Sequence, residues 1–587
     1  MKRFLLPLIP LAATLFVAGC ATVGSESSSA ILAQVDNIAT GAYSTRPVVV
    51  ELDGKPAILF STKGDRVALQ IGDKRQLLDE TARVHKGGGY FALHKQEKNI
   101  SALWWSHEDG KNLYFTSSSD AGQRFVPVSM VNSDHGVLPP YNLSQGSQGA
   151  LGVTYHDERL PGYEFFFSRS VDGGKTWATP DQRLDTPPAD GRSSSVADPQ
   201  TVVSGSAWVS IWSDAVQVSG QASYRIVSRR SLDAGITWSP AEVIYSSAHQ
   251  LSTLQLRSRG NNLVVAADDL NNGIVALASS DEGKTWRSAG ILAGTEHLTN
   301  SGIDIAISAD RAHIVWLVDQ AEKKALVMRA SLDIATQKWL EPAKRLDIKA
   351  FDNTKSTWVS ILATTQGPVI AAWLDYRDIR PGIYLSASYD KGQTWSAPQP
   401  LVQPGELSVG WPKLIPWGAQ AAITYEVYPT DVATSGKFVV RSLAFGEDMK
   451  GLSGLPEAKA ISEADRKAKL ESRVKALWDA RVAGSYDKVY EIFDFAYRAA
   501  WPKKHYVDNS GVITYLSYTL DKVSITGNEA DVNIKTKYEV KPTMLPSTGM
   551  TLKVDATESD SPAKWVWVAN DWYLVYAPAY DQSILKY

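Results

Sequence analysis

The sequence predicts an all-β propeller of seven or eight four-stranded blades, followed by a small α+β domain. Three observations predict this. A Ser-x-Asp-x-Gly-x-x-Trp-like stretch recurs six times at a period of about 50 residues. Short alternating apolar runs bounded by turn residues fill the intervals. After residue 461 the pattern changes to helical spacing and then to long strands.

The repeat is clean at Ser170–Trp177, Ser231–Trp238, Ser279–Trp286 and Ser388–Trp395. It is degraded at Ser118–Phe125, where Phe replaces Trp, and after Ser331, where the Gly is lost and Trp339 comes late. Asp in such a stretch closes a turn on the backbone, Gly supplies a positive φ, and Ser or Thr caps nearby amides. Trp is large enough to fill the gap between neighbouring units. The aspartates Asp120, Asp172, Asp233, Asp281, Asp333 and Asp390 therefore read as structural. These residues closely resemble the Asp box, or bacterial neuraminidase repeat, of sialidases and related propellers. That resemblance implies turns between the third and fourth strands of each blade, on the face away from the active site. It does not imply catalysis, because the family includes many non-enzymes.

Eight blade-like units follow, over about 45–84, 86–131, 140–185, 195–245, 250–292, 300–346, 353–402 and 407–445. The first and last lack a box, and the last lacks a clear fourth strand, so the two could share one blade. The sialidase catalytic domains of the resemblance have six.

The chain has 587 residues and a net charge of −3, from 60 basic and 63 acidic side chains. No basic stripe points to nucleic acid. Met1-Lys2-Arg3 and the apolar run Phe4–Val17 form an export signal too short to span a membrane. It ends in Val17-Ala18-Gly19-Cys20, which resembles a bacterial lipobox, with Cys20 the only cysteine. The resemblance implies cleavage after residue 19, lipid on Cys20 and a membrane-anchored protein of the cell envelope. Ala21, which is not acidic, favours the outer membrane by similarity to enterobacterial sorting. Residues 20–44 read as a lipidated linker, 45–446 as the propeller and 447–461 as a second linker.

Residues 462–587 form the second domain. Ser462–Asp465 is a capping box with Asp in place of Glu. Leu470, Val474, Leu477 and Trp478 follow at helical spacing, and a second helix holds Tyr490, Ile492, Phe493, Phe495 and Ala496. Strands and a final hairpin over 564–576 follow. This order resembles the cone-shaped nuclear-transport-factor-2-like fold, whose appended copies mostly bind or pack.

Sialidase chemistry, as the resemblance implies it, needs three Arg on a carboxylate, a Tyr nucleophile activated by Glu, and an Asp acid/base. Arg46-Pro47 faintly resembles the family's first-strand Arg-Ile-Pro motif. The loops 156–162 and 375–382 look alike and place Asp157, Arg159, Asp375, Arg377 and Arg380 on the face opposite the boxes. Other loops there offer His107, Glu108, Asp109, Asp214, Asp268 and Asp269, and the last unit offers Glu426 and Tyr428. No motif selects an Arg triad, and local Arg–Asp pairing in solvated loops explains the same residues. The nine His show no metal-ligand spacing, and no phosphate loop or Gly-x-Ser-x-Gly elbow occurs. No cofactor or metal is expected.

The leading expectation is a lipid-anchored propeller that binds a glycan or an envelope protein. An exo-acting glycosidase of sialidase type and an envelope-complex assembly factor are the alternatives.

Overall fold

The computed structural model describes residues 30–575 except 39–45, 63–65, 80–89, 108–109, 159–163, 187–195, 321–323, 349–354, 366, 379, 404–406, 430–435, 444–460, 495–496, 499–500, 545–550 and 569. Cys20 and Arg159 lie outside these residues, as do Glu108 and Asp109.

Eight antiparallel sheets occupy residues 31–443. Their first strands are Val48–Leu52, Phe91–Gln96, Val137–Gln145, Val196–Ser204, Leu251–Arg259, Thr299–Ile307, Ser356–Ala363 and Leu407–Trp417. We number the sheets 1 to 8 in that order. Each first strand lies against that of the next sheet, and the first strand of sheet 8 lies against that of sheet 1. This is the arrangement of a β-propeller. The cores sit between successive sheets, where aliphatic side chains of one blade meet those of the next.

Sheet 8 is completed from the other end of the described chain. Ile31–Ile38 pairs antiparallel with Gly436–Leu443, matching Val35 to Phe438 and Ala33 to Val440. Val35 is buried against Ile58, Phe60 and Phe438. The sequence reading placed these residues in a linker. The strand is isolated and carries Gln34, Asp36 and Asn37, so only its distant partner makes it a strand.

The repeated turns staple neighbouring sheets. In the turn after Glu164–Ser170, Asp172 accepts from Ser170 Oγ (2.8 Å), Thr176 N (3.0 Å) and Thr176 Oγ1 (2.6 Å). Ser170 Oγ accepts from Gly174 N at 2.9 Å. The turn reaches back to sheet 2, where Ser117 Oγ and Ser129 Oγ donate to the carbonyls of Gly173 and Gly174. Trp177 meets Phe115 edge to face at 5.3 Å. Trp238 repeats that contact on Phe167. All six aspartates accept from their own turn, and hydrogen bonding holds the Asp172 carboxyl near 2 despite some burial.

Beyond the sheets, helix Glu463–Val482 is capped by Ser462, whose Oγ accepts from Asp465 N at 3.1 Å. Leu470, Val474, Leu477 and Trp478 pack on a four-stranded sheet formed by Thr514–Thr526, Glu529–Met544, Thr551–Val568 and Asp571–Val575. The next helix ends at Tyr490, and Phe493 instead bridges Leu574. Among the described residues no helix is long and apolar enough to cross a membrane.

Candidate functional site

The first strands of sheets 3 to 8 each carry a register break. In sheets 4 to 8 the residue at the break has a positive φ: Asp198, Thr253, Gly302, Trp358 and Trp411. Each break is a β-bulge that frees backbone groups from the ladder. Side chains just past the bulges bond the next blade. Asn142 accepts from Thr201 N, Gln200 from Leu256 N, Asp304 from Ile361 N, and Ser360 from Leu414 N, at 3.0 to 3.2 Å. The gap between sheets 5 and 6 is bridged by Arg257 Nη2 donating to Asp304 at 2.9 Å.

The left-handed region suits Gly and tolerates Asp, but it is unfavourable for a large aromatic residue. Trp358 (φ 52°) and Trp411 (φ 49°) occupy it in adjacent blades. Local backbone preference therefore opposes tryptophan at both positions, and the reason for it lies in where the side chains go.

They go to a cavity of about 740 Å³ on the face opposite the repeated turns. Its walls come from sheets 7, 8, 1 and 2. Trp358, Trp411, Tyr90 and Phe438 provide aromatic surface, and Arg46, His94, Lys413 and Glu426 provide charge or polarity. The Arg46 guanidinium lies 4.5 Å from the Trp358 ring centroid and 5.0 Å from that of Trp411. The two indoles meet at 5.9 Å and 61°. Burial pulls the Arg46 pKa down, opposed by the charge of Glu426.

Glu426 stands on the second strand of sheet 8, opposite Gly410 and so beside the Trp411 bulge. It is 1% exposed. Its Oε2 is buried with no hydrogen-bond partner among the described residues. Burial raises its pKa to about 7, against the pull of Arg46. Burial also lowers the His94 pKa.

Of the candidate site residues named from sequence, Arg46 and Glu426 line this cavity among the described residues. Asp157 is fully buried at the end of its strand, opposite Val137 and Glu164. Asp375 accepts from Arg377 Nη2 (2.7 Å) and Trp373 Nε1 (3.0 Å). Arg377 also covers the Tyr384 ring at 4.1 Å. Arg380 donates to Asp494 at 2.8 Å. Asp214 pairs with Arg225 through two 2.7 Å bonds. Asp269 accepts from Tyr245 and Ser247. Asp268 accepts from Asn300, and burial raises its pKa to about 6. Apart from Arg380–Asp494, which joins parts of the chain 114 residues apart, these are local pairings.

The sequence reading named Glu426 but missed Trp358, Trp411, Tyr90 and His94. Aligning the first strands on Gly410-Trp411-Pro412 and Thr357-Trp358-Val359 would have exposed the two tryptophans as a matched pair.

No protein-family model matches the chain, and no curated relative does. Solved structures with a similar chain path include the NanB sialidase of Streptococcus pneumoniae, at 10% identity and a TM-score of 0.34 over 71% of this chain and 93% of that one. The leech intramolecular trans-sialidase gives 11%, 0.31, 71% and 92% on the same measures. The GH93 α-L-arabinofuranosidase of Fusarium graminearum gives 16%, 0.32, 52% and 93%. The assignment of the propeller rests on the strand pairing and the ring of first strands.

Proposed function

We propose that this chain is a lipid-anchored protein of the bacterial cell envelope whose propeller binds a glycan in the aromatic cavity. The observation that carries the reading is the placement of Trp358 and Trp411 at bulges whose backbone opposes tryptophan, on a cavity that also holds Arg46 and Glu426. Ligand sites pair apolar and aromatic walls with a few placed polar groups, and this cavity has both. Its volume suits a small oligosaccharide end.

The anchor follows from Cys20. Lipid there would hold the protein on the membrane, outer membrane by preference. Ten residues separate Cys20 from Ile31, which starts the strand closing sheet 8. Fully extended, they reach at most about 40 Å. The propeller would work close to the bilayer. The elements over 463–575 are read as a nuclear-transport-factor-2-like domain that packs against the propeller and does not act as a catalyst.

A second reading, an exo-acting glycosidase, is favoured by one observation. A carboxyl with a pKa of about 7 on a cavity wall is poised to donate a proton. Against it, Glu426 is the only carboxylate among the described lining residues, whereas most glycosidases use two.

The test is a glycan array probed with the full chain purified in detergent, beside Trp411→Ala, with sugar release assayed on every bound glycan. Capture of glycans that Trp411→Ala fails to capture, with no release, supports the binding reading. Release abolished by Glu426→Gln replaces it with the glycosidase. Folded protein that captures no glycan rules out both.

A further inference from the structure

Arg46 and Glu426 share the cavity and feel each other's charge, yet no salt bridge joins them among the described pairs. The guanidinium has its charge stabilised by two indoles, but no described hydrogen bond uses its N–H groups. No described hydrogen bond reaches the Glu426 carboxyl either, and its Oε2 is buried without a partner. The cavity thus presents a fork of donors and a buried acceptor that do not satisfy each other. Leaving the buried Glu426 oxygen without a partner is costly, so it favours a ligand that completes it, and the exposed Arg46 fork is free to exchange water for that ligand's acceptor.

That ligand must offer an acceptor to Arg46 and a donor to Glu426 at once. A secondary amide does this, with C=O on one edge and N–H on the other. A free ammonium would satisfy Glu426 but meet the positive charges of Arg46 and Lys413. A carboxylate would satisfy Arg46 but bring no donor to the ionised form of Glu426, whose charge it would repel. We infer that the cavity selects a neutral N-acetylated amino sugar, with the acetamido C=O accepting from Arg46 and its N–H donating to Glu426. Trp358, Trp411 and Tyr90 supply the aromatic surface for the ring and the methyl group. This deepens the glycan-binding reading and rests on it.

The experiment is calorimetric titration of the full chain in detergent with four disaccharide-scale probes. These are N,N′-diacetylchitobiose, chitobiose with free amines, cellobiose with hydroxyls in their place, and the acidic 3′-sialyllactose. The inference expects N,N′-diacetylchitobiose to bind at least about tenfold more tightly than each of the others, the loss that one unmade buried hydrogen bond produces. Arg46→Leu and Glu426→Leu should each remove that preference. Glu426→Gln, which keeps an acceptor, should lose less and should flatten the pH dependence between about 6 and 8. Thermal melting of each variant separates lost binding from lost folding, and Arg46→Leu remains informative if Glu426→Leu does not fold. Tighter binding of cellobiose, chitobiose or sialyllactose overturns the acetamido assignment but leaves glycan binding standing where Trp411→Ala abolishes it. Equal binding by the wild type and Arg46→Leu overturns the assignment too. No binding of any probe by folded protein removes both readings.

Discussion

Arg380 donates a 2.8 Å hydrogen bond to Asp494 across 114 residues of sequence, and both side chains are almost wholly buried. Arg380 opens the third strand of sheet 7, and Asp494 follows the short helix Tyr486–Tyr490. The pair ties the propeller to the C-terminal elements on the face that also bears the aromatic cavity. An arginine that suggests substrate binding in the sequence is here part of the framework.

Removing one partner of a buried ion pair leaves an uncompensated charge, which costs about 3–5 kcal/mol. Arg380→Ala and Asp494→Ala should each lower the unfolding free energy by that order. The double variant should lose much less than the sum. Denaturant titration of the four proteins measures the coupling, and strict additivity would mean that the pair does not hold the two parts together.

Glu426 makes a prediction with a definite sign. Its folded pKa, about 7, lies above the ordinary 4.5, so the folded state keeps a proton that the unfolded state has lost. Its contribution is complete below about 4.5 and disappears as pH rises through about 7. The full change is on the order of 3 kcal/mol. His313, held at about 4 by burial, acts in the opposite sense, because its contribution is lost as pH falls through 4. Subtracting the stability profile of Glu426→Gln from that of the wild type isolates the first effect. The difference should fall between pH 4.5 and 7, and a flat difference would place Glu426 in contact with solvent.

The repeated turns should matter for stability and not for ligand. Asp172→Ala removes the acceptor for Ser170 and Thr176, at a cost of about 1–3 kcal/mol. Gly174→Ala should be worse. Its Cβ would fall 1.9 Å from Phe115 Cε1, at a φ of +88°. Both variants should show lower melting temperatures and unchanged glycan affinity, since the turns lie on the opposite face from the cavity.

Ile31–Ile38 should be indispensable to the ring. Val35→Asp places a charge among Ile58, Phe60 and Phe438, and should destabilise the protein by several kcal/mol, of the order of other buried unpaired charges. Deleting residues 31–38 leaves Gly436–Leu443 as an exposed edge, a template for pairing between chains. Sedimentation of the deleted form should show association, and a stable monomer would mean that sheet 8 does not need its fourth strand.

The fold was legible where information is local. Asp172, Gly174 and Trp177 act within one turn and its nearest neighbour, so their spacing marks the sheet boundaries directly. Ser462 and the run Leu470 to Trp478 mark the long helix in the same way. Ile31–Ile38 was not legible, because its partner lies some 400 residues away in sequence. The cavity was legible only at its edges. Arg46 and Glu426 stand out as charged residues among apolar strand residues, whereas Trp358 and Trp411 look like core tryptophans until the bulges turn them into the cavity. Asp375 and Arg377 illustrate the converse. Their residue types suggest chemistry, but a 2.7 Å hydrogen bond pairs them with each other.

The central claim is that the Trp358–Trp411 cavity is where ligand binds. The most direct measurement is the dissociation constant of the tightest glycan found on the array, taken for the full chain and for the double variant Trp358→Ala/Trp411→Ala under one set of conditions. A loss of at least about tenfold, with the ring still folded by circular dichroism, is the outcome expected when two aromatic contacts are removed. An unchanged dissociation constant would contradict the account and move the binding site elsewhere on the propeller.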